Sequence, residues 1–207
     1  RFYFVGDEDL LEIVGNASEP SKVTQHLSKM FASLAQVRME VREGGKEGGQ
    51  VVAITAMVSK EGEEVTLREP VVFSPAKTAV RDWLQALETK MRATLAHLLA
   101  QAVEEEGQGG REGGFVEWVE AYPAQVVLLA VQIWWTRGVE AALLAGKASS
   151  SSSSSSSPAA AALESGPLSS LTSRLLSSVQ RVLAADVPPQ TRKKFEHLIT
   201  ELVHQRD

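Results

Sequence analysis

The spacing of apolar positions changes character along this chain, and the changes outline its elements. At the start it is helical. Asp7 is placed to cap a short helix, with acidic Glu8 and Asp9 where the helix dipole favours negative charge. Leu10, Leu11 and Val14 give that helix an apolar face, and Gly15 suits its C-cap. Val23, Leu27, Met30 and Leu34 follow at i, i+4, i+7 and i+11, which predicts a second helix over Ser18–Leu34. The period then drops to two. Val37, Met39 and Val41 alternate with Arg38, Glu40 and Arg42; Val51 to Val58 is β-branched and apolar; Val65 and Leu67 alternate with Glu64, Thr66 and Arg68. Gly-bearing turns at Glu43–Gly49 and Lys60–Glu63 separate these runs, so they predict a three-stranded antiparallel β-meander over about 36–73, closed by Pro70 and Pro75.

Helical spacing returns from about Lys77 to Glu106, where Val80, Leu84, Leu87, Met91, Leu95, Leu98 and Ala102 hold one stripe and Glu88 and Arg92 form an i,i+4 pair. Such a helix would reach ~45 Å at 1.5 Å per residue. Gly107–Gly114 interrupts it. Phe115–Tyr122 reads as a short amphipathic turn or helix, and Pro123 can begin or kink the next helix, which runs to about Leu144. Nine serines, Ser149–Ser157, then lead through Pro158 into an alanine run. This stretch offers too little apolar surface to offset its ordering entropy. Mobile loops are therefore expected at about 107–114 and 146–166. Pro167 opens another helix with Leu168, Leu171, Leu175, Val179 and Val182 inward, and Thr191–Gln205 forms the last. The expected fold is mainly α: an elongated bundle of five or six helices with the meander inserted near its start. No βαβ alternation supports a nucleotide-binding sheet.

Composition narrows the classes further. A net charge of −5 with no basic stripe gives no support to nucleic-acid binding. The absence of cysteine excludes disulfides and thiolate metal sites. Ala121–Trp135 is the most apolar stretch, but it is shorter than the ~20 residues a membrane span needs, and Gln125 and Gln132 interrupt it. No membrane partner is expected.

Motifs that carry chemistry are missing. Gly146-Lys147 approaches a phosphate loop, yet Ala141 stands where that motif needs glycine and Ala148 where it needs Ser or Thr. The glycines at 44–49 lie between strands, where a dinucleotide loop does not occur. His197, Glu201 and His204, at i, i+4 and i+7, share a face and have ligand chemistry suited to zinc. On a helical wheel that face lies opposite Phe195, with Leu198, Ile199 and Leu202 on the apolar side, so a solvated or partner-contact face is the plainer reading. His26 and His97 show no clustered acid or nucleophile, and Glu104–Glu106 reads as a solvated helix end. Phe2, Tyr3 and Phe4 suit either a docking patch or a core plug; clusters of this kind more often fill cores. The candidate interaction residues are thus Phe2, Tyr3, Phe4, His197, Glu201 and His204, with no catalytic residue, metal or cofactor expected.

Several long strings nevertheless recur, in order, in one known family. RFYFVGDEDLLEIVGN (1–16), EGEEV (61–65), ETKMRATLAHLLA (88–100), YPAQVVLLAVQIWW (122–135) and KFEHLITELVHQRD (194–207) resemble the heavy chain of dynein, the cytoplasmic form most closely, in the segment preceding its first AAA+ module. The stretches at 107–114 and 149–157 depart from that pattern. The resemblance implies the C-terminal part of the linker over residues 1–207, a mostly helical lever. It also implies partners: the AAA+ ring of the same heavy chain, a dynein complex dimerised through its tail, and microtubules indirectly, in the cytoplasm. The family offers no catalytic residue in this segment, because its ATP sites lie elsewhere. The contrasting reading is a stand-alone helical scaffold or adaptor with no motor attached.

Overall fold

The computed structural model describes residues 5–43, 49–107, 114–149, 173, 176–180, 182 and 187–206. The chain divides into two compact units, Arg1–His97 and Leu98–Asp207.

The first unit opens with α1 (Asp7–Gly15), α2 (Pro20–Thr24) and α3 (Leu27–Met30). The acidic first turn of α1 is present, but Asp7 lies inside the helix and Gly6 is its N-cap, with no side-chain capping bond. Gly15 is the last helical residue rather than the cap. Asn16 is the C-cap, and its Nδ2 donates to the Glu12 carbonyl at 2.9 Å. The apolar face of Leu10, Leu11 and Val14 is turned outward, and Ile13 is the buried residue of α1.

The single helix expected over Ser18–Leu34 is instead two short ones. Their break explains why the described helices outnumber the five or six anticipated. Phe31 is extended (φ −123°, ψ 120°) and Ser33 takes a left-handed φ of 66°. These two residues turn the chain out of α3, so Leu34 opens a strand. Val23 and Leu27 still bury completely, as their spacing required.

The meander is β1 (Leu34–Glu43), β2 (Gln50–Ser59) and β3 (Glu64–Phe73), antiparallel in the order β1-β2-β3. Glu43 pairs with Gln50, which closes the first hairpin around residues 44–48, themselves outside the described set. The second hairpin turns on Gly62 at φ 81°, a conformation that favours glycine, and Ser59 Oγ accepts from the Glu61 and Glu63 amides at 3.2 Å. Pro70 does not end the sheet. It lies within β3, in a stretch where pairing skips from Thr66 opposite Ala56 to Val71 opposite Ile54. On an edge strand at an irregularity, proline's missing donor costs no ladder bond.

Helix α4 (Val80–Gly107) starts in this unit. Its Trp83, Leu84 and Leu87 join Ile13, Val23, Leu27 and Leu34 and the inner sheet residues Val52, Ile54, Met57, Leu67, Val71 and Phe73 in one core. Trp83 stacks on Phe73 with ring centroids 4.8 Å apart and planes 4° from parallel. Thr94, outside the expected stripe, is also buried. Its hydroxyl donates to the Lys90 carbonyl at 2.8 Å and accepts from the Arg68 amide at 3.1 Å. That amide lies in the unpaired stretch of β3, so the helix supplies the partner the sheet does not. Lys90 Nζ also bonds Glu69 Oε2 there, and the expected Glu88–Arg92 pair forms at 2.9 Å.

The second unit holds the end of α4, α5 (Gly114–Ala121), α6 (Ala124–Ser149) and α7 (Pro189–Arg206). Residues 176–180 are also helical, with Ser178 buried and Leu176 exposed, and Val182 is buried further on. Helix α6 begins directly after Pro123, whose carbonyl accepts from the Val127 amide at 3.0 Å. It runs past Leu144 to Ser149, so Gly146 and Lys147 are helical rather than a cap and loop. The remainder of the anticipated loops, and Leu168, Leu171 and Leu175, lie outside the described residues. No described helix is long and apolar enough to cross a membrane.

Candidate functional site

The aromatic residues of the second unit form a connected series. Phe115 stacks near Trp118 (5.6 Å), meets Phe195 edge-on (6.3 Å), and Trp118 lies 5.9 Å from Tyr122 and 4.9 Å from Trp134. Short α5 presents Phe115, Trp118 and Val119 on its buried side, the i, i+3, i+4 spacing of an amphipathic helix. Both indole N–H groups are satisfied near the end of α4: Trp118 donates to the Ala102 carbonyl at 3.3 Å and Trp134 to the Val103 carbonyl at 3.4 Å. Tyr122 is pushed up to about 12, first by burial and then by its hydrogen bond to the Glu105 carboxylate. Glu105, expected only to be solvated, thus anchors a buried phenol.

Helix α7 carries the histidines singled out from the sequence. His197 and His204 are exposed, and Glu201 is half-buried. Glu201 Oε1 accepts from Gln132 Nε2 of α6 at 2.7 Å. Two more residues of the same helix reach α5. Thr191 Oγ1 donates to Glu120 Oε1 at 3.3 Å, and Lys194 Nζ donates to the Val119 and Tyr122 carbonyls at 3.2 and 2.6 Å. A lysine at carbonyls that end an eight-residue helix both satisfies orphan acceptors and complements the negative end of its dipole. Ile199, expected on the apolar side, is 37% exposed, and Val203 of the same helix is 54% exposed. Phe2, Tyr3 and Phe4 lie outside the described residues.

The charged cluster that does converge is in the first unit, and sequence spacing missed it. His26, buried to 7% exposure, places Nδ1 3.3 Å from Asp9 Oδ1 and Nε2 3.4 Å from Glu12 Oε2. Lys29 Nζ contacts both Asp9 oxygens at 2.8 Å. Lys29 beside it holds the Asp9 carboxyl below the usual carboxylate range, its hydrogen bond and charge outweighing the desolvation that opposes them. Among the described residues, Asp9, Glu12 and His26 are the three whose ligand atoms come within 4.8 Å of one another. His197, Glu201 and His204 are not drawn into such a group. The two ring nitrogens of His26 face different carboxylates, and Lys29 already occupies Asp9. A cation would have to compete with Lys29 for Asp9, and the contacts present are those of a polar cluster built around one ion pair. His97 is exposed on α4.

Within each unit, then, these polar contacts fasten one element to the next. Residues 1–102 match the family described as dynein heavy chain, N-terminal region 2. The similarity to individual proteins covers the whole chain. It is 39% identical over 209 residues to the cytoplasmic dynein heavy chain of Dictyostelium discoideum and 40% identical over 215 to that of Drosophila melanogaster. It is 32% identical over 207 residues to dynein axonemal heavy chain 5 of Rattus norvegicus. The chain spans 4% of the length of the two cytoplasmic relatives and 5% of the axonemal one.

Proposed function

We propose that this chain is a non-catalytic mechanical segment of a cytoplasmic dynein heavy chain, the C-terminal part of its linker. In this reading it lies across the AAA+ ring of the same polypeptide and passes ATP-driven conformational change into minus-end-directed movement along microtubules. The observation that carries the reading is similarity to dynein heavy chains over 100% of the chain, including one at 39% identity. The structure is compatible in a specific way. Helix α4 has 28 residues, with neither proline nor glycine between Val80 and Glu106, and a continuous hydrogen-bonded helix resists bending better than an interrupted one. The ATP sites, the microtubule-binding parts and the dimerising tail belong to the remainder of the heavy chain.

The test places the segment in its motor. A heavy chain carrying Thr89→Pro, which breaks α4 on an exposed position, is compared with the parent in microtubule gliding and in ATP turnover. Gliding velocity is expected to fall several-fold while basal turnover persists. Unchanged velocity would remove the lever reading. The isolated chain is expected to show no stoichiometric ATP turnover.

A further inference from the structure

Helix α1 is held to its unit by one deeply buried side chain and by polar contacts to the α2–α3 segment. Ile13 is its buried residue, whereas Leu10, Leu11 and Val14 are 41%, 73% and 65% exposed. A helix of nine residues does not repay its own nucleation cost in water, so α1 keeps its shape only while docked. Among the described residues, its docking includes one buried apolar side chain and four side-chain polar contacts. Lys29 Nζ grips both oxygens of Asp9 at 2.8 Å. His26 faces Asp9 at 3.3 Å and Glu12 at 3.4 Å through its two nitrogens. Lys22 Nζ donates to Asn16 Oδ1, on the C-cap of α1, at 3.1 Å. Each contact joins α1 or its cap to the α2–α3 segment. Lys29 and Glu12 side chains are about half exposed, at 50% and 54%, so mobile ions reach them. The sheet and α4 are joined through a contiguous apolar core, to which α1 contributes Ile13.

We infer that α1 is a salt-releasable arm: its ion pair with Lys29, beside the His26 contacts, holds it down, and rising ionic strength undocks it as a unit while the sheet and α4 stay folded. Screening is the physical lever. The Debye length falls from about 14 Å near 50 mM salt to about 4 Å near 500 mM, which weakens exposed ion pairs but leaves apolar burial intact or strengthened. Undocking brings Ile13 into the open beside Leu10, Leu11 and Val14. At 100° per residue these four span about 160° of the helix, a continuous apolar stripe available to a new contact.

Hydrogen exchange on the intact 207-residue chain tests this, with α1 amides compared to β2 amides at about 50 and about 500 mM KCl. Exchange in α1 is expected to rise at least about threefold with salt while β2 is unchanged. Salt-independent exchange in α1, or a rise in step with β2, overturns the proposal. Asp9→Asn removes the charge that Lys29 and His26 share. It is expected to raise α1 exchange at low salt and to reduce the salt response. Ile13→Ala is expected to speed α1 exchange at both salt concentrations and keep their ratio. A salt response as large in Asp9→Asn as in the parent would place the hold on apolar contact instead and sink the inference.

Discussion

Replacing Thr94 by valine isolates the bond that joins the irregular part of β3 to α4. Valine keeps the branched shape and nearly the volume of threonine, so the perturbation is the loss of one buried hydroxyl. That hydroxyl makes two bonds of unequal worth. The one it donates to the Lys90 carbonyl, 2.8 Å away and four residues back, is a helix back-bond, and its loss costs little. The one it accepts from the Arg68 amide at 3.1 Å matters more. Between Thr66 and Val71 β3 has no register partner on β2, so the amide has no ladder acceptor to fall back on. An unsatisfied buried donor costs about 1–3 kcal/mol. The Arg68 bond is only part-buried, so water recovers some of that, and about 1 kcal/mol of destabilisation is expected. With a urea m-value near 2 kcal/mol/M, the unfolding midpoint falls by about 0.5 M. Tryptophan fluorescence follows it through Trp83, which stacks on Phe73 in the same core. Thr94→Ser is the control. It restores the hydroxyl while losing a methyl, worth about 0.8 kcal/mol on full burial. Amide exchange at Arg68 should accelerate in the valine variant and stay slow in the serine variant. A valine variant as stable as the parent, with Arg68 still protected, would refute the role assigned to Thr94.

Other contacts make similar commitments. Lys194→Met keeps the aliphatic stem but strips the ammonium from the Val119 and Tyr122 carbonyls; it should cost about 1 kcal/mol in urea unfolding, with exchange rising first at the end of α5. The chain has two tyrosines, so in a Tyr3→Phe background the phenolate absorbance should report Tyr122 alone and rise near pH 12 rather than 10. Glu105→Gln should lower that midpoint only in part, because burial is the larger cause. A folded-state value raised above the unfolded one means that this phenol's contribution to stability is lost as pH climbs from 10 towards 12. Asp9 has the opposite sign. Its value is depressed below 3.8, so its contribution is present above that pH and is lost as pH falls through the lowered value. Carboxyl NMR titration should show the depression, and Lys29→Gln should remove most of it.

Much of the fold was legible because the period of the apolar residues is a local property. The change from 3.6 to 2 near Val37, the Gly-bearing turns and the unbroken stripe of α4 each follow from neighbours in sequence. The misreadings share a cause as well. Val23, Leu27, Met30 and Leu34 fit one helical face, and the first two do bury; but the left-handed backbone at Ser33 lets Leu34 reach the same core from a strand. Pro70 read as a terminator because a bulge in β3 cannot be seen before the strand is paired. Leu10, Leu11 and Val14 do share a face, but apolar periodicity does not say which way a face turns, and theirs is exposed.

The charged cluster shows why sites of this kind escape a search by spacing. His197, Glu201 and His204 attracted notice because helical intervals put them on one face, yet their contacts diverge: Glu201 goes to Gln132, while both histidines face outward. His26 has no acid three or four residues away. Asp9 and Glu12 reach it across the turn between α1 and α2, so the cluster exists only once those helices are packed. A pairwise signal was present all the same. Asp9 and Glu12 lie at i, i+3 on α1, and His26 and Lys29 lie at i, i+3 as the chain enters and follows α3. Two acidic positions and two basic ones at matching intervals on consecutive short elements are complementary if those elements pack side by side. The same complementarity works against a catalytic or metal role. Lys29 neutralises Asp9 and the imidazole stands between both acids, so the cluster's electrostatic capacity is spent on holding α1. Whether that hold is fixed or releasable is what the salt dependence of α1 decides.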